Sequence, residues 1–425
     1  MTLRVRTERL DQDAPLIELL DGLPEAGRTV FVRDGEGIVT AGTAVGIPVP
    51  SGPHRSRSAR QAFDLLAHDA HVEDPVELPG SGLIAVGSFT FDPRPRDEGG
   101  SEVASVLRVP RHVIGRRDGT TWRTTISPAE ATDGVAHGDD ASPDVAPGSA
   151  GTSDRPRYAG STLDDAGWLE AVADALARIA RGEVEKVVLA RDVHLWSRTP
   201  FALPEVLEGL AGRFPSCFTF LVDGLVGASP ELLLRRRGSQ VTSRVLAGTA
   251  RRGARPEEDE RLGSQLLASD KDRREHDLAA RSVIDTLRAS CTDVVAPDGP
   301  SLVRLDNVQH LGSDVTGTLA GPHHVLDLLD ALHPTAAVCG TPREAALASI
   351  GALERMDRGR YAGPVGWCDA SGDGEFAIAL RCAEIRGDRA RLLAGAGIVA
   401  GSLPEEELVE TWLKLRAMTD VLTRP

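Results

Sequence analysis

The run FTFLVDGLVGASPELLLRRRGSQVTSRVLAGT, residues 218–249, is a succession of short apolar or alternating stretches broken by glycine and polar residues. Stretches of this length and pattern read as β-strands. Working outward, EKVVLARDVHL (185–195) and FAIALRCAEIRGDRARLLAGAGIV (376–399) have the same character, as do RTVFVR (28–33), GLIAVGSF (82–89) and ASVLRVPRHVIG (104–115) nearer the N-terminus. Helical periodicity appears between them. Leu163, Trp168, Val172, Leu176 and Ile179 keep helical spacing over 162–181, a long helix starts near Lys271, and another closes the chain. Meandering strands interrupted by long helices, without strict βαβ alternation, predict an α+β fold: large antiparallel sheets with helices packed on the outside.

Residues 128–161 are rich in Gly, Pro, Ser, Asp and Ala and almost lack large apolar side chains. Such a stretch cannot bury enough surface to offset its ordering entropy, so it reads as a linker or long exposed loop. It lies between an N-terminal, mainly antiparallel β part of the same sandwich, 1–127, and the remaining region, 162–425.

A net charge of −15 argues against nucleic acid as a partner, because phosphate binding needs a basic face. No stretch approaches a membrane span, and the charged start MTLRVRTERLDQDAP has no apolar export signal, so the expectation is a cytoplasmic protein. The five cysteines are scattered without CxxC spacing and read as buried free thiols. Of 48 basic residues only Lys186, Lys271 and Lys414 are lysines. An ammonium can lose its proton on burial where a guanidinium effectively cannot, so a chemical role for these lysines is expected.

Acidic residues extend the stripes of two helices. In SDKDRREHDLAARSVIDTL, Ser269 and Asp272 have capping-box spacing, and Glu275 leads the core stripe Ala279, Val283 and Leu287 with Asp272 one turn earlier. Arg273, Arg274 and His276 are expected to point elsewhere. In GSLPEEELVETWLKLRAM, Ser402 and Glu405 have the same spacing, and Leu408, Trp412, Leu415, Met418 and Leu422 form the expected apolar stripe. Glu407, Glu410 and Lys414 line an adjacent one. A carboxylate in a poorly hydrated place must be protonated, paired or metal-bound. Two helices bearing such pairs suggest a shared cation, and all-oxygen ligation suits Mg²⁺. AGAGIVAG lacks the glycine phase and βαβ setting of a dinucleotide site; Gly395, Gly397 and Gly248 instead allow backbone to approach a ligand.

Taken in order, EKVVLAR, GASPELLL, LAGTARRG, SDKDRREH, QHLGSDVTG, HPTAAVCGTP, YAGPVGW, ALRCAEI and AGAGIV followed by ELVETWLK resemble the chorismate-utilising enzymes, and within them the isochorismate synthases. The resemblance covers about residue 168 to the C-terminus. It implies a Mg²⁺-dependent isomerase that replaces the 4-hydroxyl of chorismate with a 2-hydroxyl from water, and a monomer. It makes Lys186 the base that activates water and Glu231 the acid that protonates the departing hydroxyl. It assigns the metal to Glu275 and Glu410, with Asp272 and Glu407 binding directly or through water. The substrate carboxylates fall to Mg²⁺, Arg381, Lys414, Tyr361 and the backbone around Gly248, Thr249, Gly395 and Gly397, with His333 lining the same pocket.

Relatives that use ammonia, such as anthranilate synthase component I, usually have glutamine in place of Lys186. Salicylate synthases, which go on to eliminate pyruvate, commonly have threonine in place of Ala337. A non-catalytic homologue would have lost one of Lys186, Glu231, Glu275 or Glu410, and all four are present. Isochorismate feeds siderophore, menaquinone and salicylate routes, among which no residue here selects.

Overall fold

A computed structural model describes residues 1–94, 104–129 and 155–423. Its strands are joined in one hydrogen-bonded network, antiparallel throughout except where Leu3–Leu10 meets His71–Glu73. Most of the 128–161 stretch lies outside the described residues. Its two ends are ordered: Pro128 finishes the strand Thr120–Pro128, and Arg157–Gly160 is a strand paired with Trp196–His194.

The N-terminal part is not a separate unit. Thr29–Arg33 pairs with Phe218–Val222, and Ile84–Ser88 with Pro364–Asp369, so the first strands are stitched into the region 162–425. Side chains alternate across the sheet as the pleat requires. Phe218, Phe220 and Val222 enter one core with Phe31, whereas Leu221 enters a second with Val30 and Val32. The helices Asp165–Ala180, Asp270–Arg288 and Arg343–Leu353 cover the first core through Trp168, Val172, Ala279, Val283 and Ile350. Leu203–Arg213 and the closing helix Pro404–Thr423 cover the second through Leu207, Leu210, Leu415 and Met418. This is the α+β architecture expected, and all five cysteines are buried and free. No helix among the described residues is long and apolar enough to cross a membrane.

Three elements position the acidic residues and the lysines. The strand Lys186–Trp196 lies in the interior of the sheet, with Lys186 opposite both Val399 and Thr341. The helix Asp270–Arg288 starts at the expected cap, Ser269 Oγ accepting the Asp272 N–H at 3.3 Å, and it buries Glu275, Ala279, Val283 and Leu287. His276 departs from expectation: it is buried on that same stripe, its Nε2 2.9 Å from Ser313 Oγ, and burial lowers its pKa to about 4.

The closing helix buries most of its apolar stripe but not Trp412. Its buried residues are Glu407, Thr411, Leu415, Ala417, Met418 and Leu422, whereas Trp412 is exposed, with the Arg191 guanidinium stacked on it at 4.8 Å. The first-turn amides of Glu406 and Glu407 bond to the Leu403 carbonyl, so the cap sits one residue later than Ser402. The Ser402 hydroxyl instead accepts the Val399 N–H and bonds the Glu407 carboxyl.

Candidate active site

Between the two acidic helices and the strand Arg389–Val399 lies a cavity of about 50 Å³, lined among others by Glu231, Gly248, Thr249, Glu275, Tyr361, Arg381, Gly395, Gly397 and Lys414. Nine residues expected from the sequence therefore converge. Glu231 is placed by its backbone: its N–H reaches Ser229 Oγ at 3.3 Å and its carbonyl accepts the Ile378 N–H at 3.1 Å. Burial pushes its pKa up to about 8, against the opposing pull of Lys186, the Leu246 N–H, Arg381 and Lys414. A carboxyl in this state holds its proton at neutral pH.

Lys186 is fully buried. Its Nζ lies 3.3 Å from Glu275 Oε1, immediately behind the cavity wall that Glu275 and Gly397 form. Gly397 is required there, since a Cβ would fall 2.0 Å from Glu275 Oε1 and 3.1 Å from Lys186 Cε. Gly248 is required for two reasons: its φ is +76°, and a Cβ would press on the Asp272 Cβ at 3.1 Å.

Each lysine of the chain holds one glutamate of this region. Besides Lys186 and Glu275, Lys271 Nζ meets Glu407 at 2.7 Å and Lys414 Nζ meets Glu410 at 2.6 Å. Lys414 also donates to the Gly395 carbonyl at 2.9 Å. The carboxylates still repel one another. Glu407 is raised to about 7 by burial and then by Glu410, and Asp272 is raised by burial, with Glu275 and Glu410 adding to the effect. Among the described residues no three acidic, His or Cys side chains close up as a formed metal site. A crowd of partly buried carboxylates with lysines as stand-in cations is nevertheless the donor set a hard divalent ion prefers.

Arg381 lies outside the regular strands. It falls between the strands Gly374–Ile378 and Cys382–Arg386 with φ +50°. This turns its guanidinium into the cavity, where Nη2 donates to His310 Nε2 at 3.0 Å while Nε is buried without a hydrogen bond. Because Nε2 accepts, the proton of His310 sits on Nδ1, which faces the Gly248 carbonyl at 3.3 Å and Thr249 Oγ1 at 3.1 Å. Burial, Arg381 and Lys414 hold this histidine well below its ordinary pKa, so it is neutral. Tyr361 is buried, and burial raises its pKa.

His333, by contrast, is not a lining residue. Its Nε2 donates to the Ala362 carbonyl at 2.9 Å and its ring stands edge-on to Phe91, so it buttresses the wall from behind; burial lowers its pKa to about 3. The histidine in the cavity is His310, which lies in the QHLGSDVTG block. Also unforeseen is the buried pair Glu354–Arg358. Glu354 Oε1 accepts the Ala190 N–H at 2.7 Å, and Arg358 donates to the carbonyls of Val188 and Val338 at 2.7 and 2.8 Å. The pair ties the lysine-bearing strand to the cavity wall.

Residues 7–423 match a family model described as chorismate binding enzyme. The isochorismate synthase DhbC of Bacillus subtilis is 45% identical over 259 residues, 58% of this chain and 65% of that protein, so the alignment spans a little under two thirds of it. The salicylate biosynthesis isochorismate synthase of Pseudomonas aeruginosa is 36% identical over 399 residues, 88% of this chain and 80% of that one. Among solved structures, the menaquinone-specific isochorismate synthase MenF of Escherichia coli superposes with a TM-score of 0.79 at 26% identity, covering 99% of this chain and 94% of its own. Anthranilate synthase component I of Streptococcus pneumoniae, at 21% identity and a TM-score of 0.67, shares the fold. With the family model matched over almost its whole length, the chain belongs to the chorismate binding enzymes.

Proposed function

We propose that the protein is an isochorismate synthase, converting chorismate to isochorismate with Mg²⁺. The observation that carries this reading is a buried lysine and a proton-holding carboxyl beside one cavity lined by Arg381 and Lys414: Lys186 behind Glu275, and Glu231 raised to about 8 in the wall. Lys186 takes a proton from water as its oxygen bonds to C2. The ring double bond shifts, the C4–O bond breaks, and Glu231 gives its proton to the leaving hydroxyl. Water is consumed at one carbon and released at another, so the reaction is an isomerisation. Retention of Lys186 favours water over ammonia as the nucleophile, and Ala337 in the cavity wall favours stopping before pyruvate loss.

Arg381, with its unsatisfied Nε, and Lys414 supply the cationic contacts for the substrate carboxylates, with the Tyr361 hydroxyl beside them. Glu275 and Glu410 would hold Mg²⁺, with Asp272 and Glu407 next to them, and the ion would neutralise these carboxylates and bind a substrate carboxylate. A void of about 50 Å³ is far below the ~300 Å³ of a small-ligand pocket, so binding must displace side chains, and the lysine–glutamate pairs are the ones to move. The reading takes the chain as a cytoplasmic monomer that binds no nucleic acid, in keeping with its charge of −15.

The test is incubation of the purified protein with chorismate, with and without Mg²⁺ and with ammonium, resolving isochorismate, salicylate, pyruvate and anthranilate. Mg²⁺-dependent isochorismate is expected. Its absence overturns the reading, and stoichiometric pyruvate converts it to a salicylate synthase.

A further inference from the structure

A second cavity, of about 380 Å³, shares no lining residue with the first. Its wall includes Phe31, Arg33, Arg117, Phe218, Arg235 and Arg237, drawn from four strands and the hairpin ends between them. Glu231 immediately precedes the strand Leu232–Arg237. Arg235 and Arg237 therefore lie four and six residues from it, about 13 to 20 Å at ~3.3 Å per residue.

The guanidiniums here are arranged without enough partners. Arg117 is 4% exposed; its Nε donates to the Pro79 carbonyl at 3.2 Å and its plane stands over Trp367 at 5.6 Å. Neither of its amino nitrogens has a hydrogen-bond or carboxylate partner among the described residues. Arg33 stacks on Phe218 at 4.9 Å, which itself stacks on Phe31. Its Nε lies 3.3 Å from Asp34, without hydrogen-bond geometry, and its amino groups are likewise unpartnered among the described residues.

The acidic residues of this wall do not fill the gap. Of the four, Glu375 is taken by Arg235, Glu36 accepts the Asp118 N–H at 2.7 Å, Asp34 is 60% exposed, and the Asp118 side chain is also exposed at the hairpin turn. Burial above all lowers the pKa of both Arg33 and Arg117; Arg244 adds to the effect at Arg33, while at Arg117 Glu375 opposes it and Arg237 adds to it. Desolvating a guanidinium without a partner is costly, and a planar fork of N–H donors matches a carboxylate or phosphate in two-point contact.

We propose that this cavity binds a small oxyanion, a carboxylate or phosphoryl group, held by the free amino edges of Arg33 and Arg117 with Arg237 at the rim. The site is distinct from the chorismate cavity and does not depend on the reaction assigned to it.

Isothermal titration of the full chain at constant ionic strength, with inorganic phosphate in one arm and succinate in the other, tests this. Saturable one-to-one binding of at least one probe is expected, and the arm that binds tells phosphoryl from carboxylate chemistry. The dissociation constant should rise about tenfold or more in Arg33→Gln and in Arg237→Gln, both chosen because Arg33 is half-buried and Arg237 exposed where Arg117 is buried. It should be unchanged in Arg381→Gln, which empties the other cavity of its main cation. Failure of both probes to bind overturns the proposal. So does binding that survives Arg33→Gln and Arg237→Gln, or that disappears with Arg381→Gln.

Discussion

Replacing Glu231 by glutamine separates its proton from its shape. The carboxyl holds its proton to about 8 in the folded protein, whereas its ordinary value is 4.5. Folding therefore takes up a proton between these limits, so stability is greatest at low pH and is lost as pH rises. At about 1.4 kcal/mol per tenfold, the loss reaches roughly 3 kcal/mol at pH 7 and levels off at roughly 5 kcal/mol above pH 8. Glutamine keeps an oxygen for the Leu246 N–H and carries no charge. Glu231→Gln should match the parent in urea midpoint at pH 5 and exceed it at pH 8.5, the gap widening steadily between. Turnover should fall by about 10²- to 10⁴-fold, the usual worth of a general acid. In the parent, kcat/KM should decline tenfold per pH unit above about 8, the value at which the acid loses its proton. A variant that is inactive but gains no stability with rising pH would show Glu231 ionised in the fold, and the acid role would be refuted.

Lys186→Ala should abolish isochorismate formation by about 10²- to 10⁴-fold while equilibrium dialysis still finds chorismate bound; surviving turnover would require another base. Glu410→Gln should raise the Mg²⁺ concentration for half-maximal thermal stabilisation by at least about tenfold, and an unchanged titration would remove Glu410 from the ion. His310→Phe leaves the Arg381 amino group without its acceptor, so KM should rise about tenfold with kcat little changed, measured by steady-state kinetics. Arg358→Met strands Glu354 in the interior and should cost about 3–5 kcal/mol in urea unfolding, with much of the loss recovered in the Glu354→Leu, Arg358→Met double variant.

Local pattern suffices wherever the determining contacts are local. The start of the helix Asp270–Arg288 and the inward placement of Glu275 follow from a cap and a spacing of four, both visible in the chain. Hydrophobicity alone places Leu415, Met418 and Leu422 of the closing helix correctly but misplaces Trp412. Trp412 outranks Glu407 on any apolar scale, yet Glu407 is the buried one, since Lys271 from the other helix meets it. His333 and His310 fail and succeed for a non-local reason. His310 reaches the cavity because the strands Gln240–Arg251 and Val308–Leu319 shift register between Ala247 and Thr249, bringing Thr249 opposite it. Nothing in the spacing of either histidine encodes that shift. The guanidinium cavity is equally hidden, because RRR on a strand end reads as a solvated face until the hairpin carrying Arg117 is folded over it.

The scarcity of lysine finds a physical reason in the same cluster. With 48 basic residues and three lysines, all three lysines stand on carboxylates of the two acidic helices, at 3.3, 2.7 and 2.6 Å. Arginine would serve worse at each position. Its planar fork locks a carboxylate in two-point contact, whereas an ammonium on a flexible stem makes a point contact that can be exchanged. Exchange is what the proposed reaction needs. A substrate with two carboxylates and a divalent cation together bring no net charge, so Glu410 can pass to the ion as Lys414 passes to the substrate. No charge then has to be left buried alone. The small void at the site and its unusual base composition thus have one origin: the lysines occupy, in the empty protein, the electrostatic places that Mg²⁺ takes on the proposed reading.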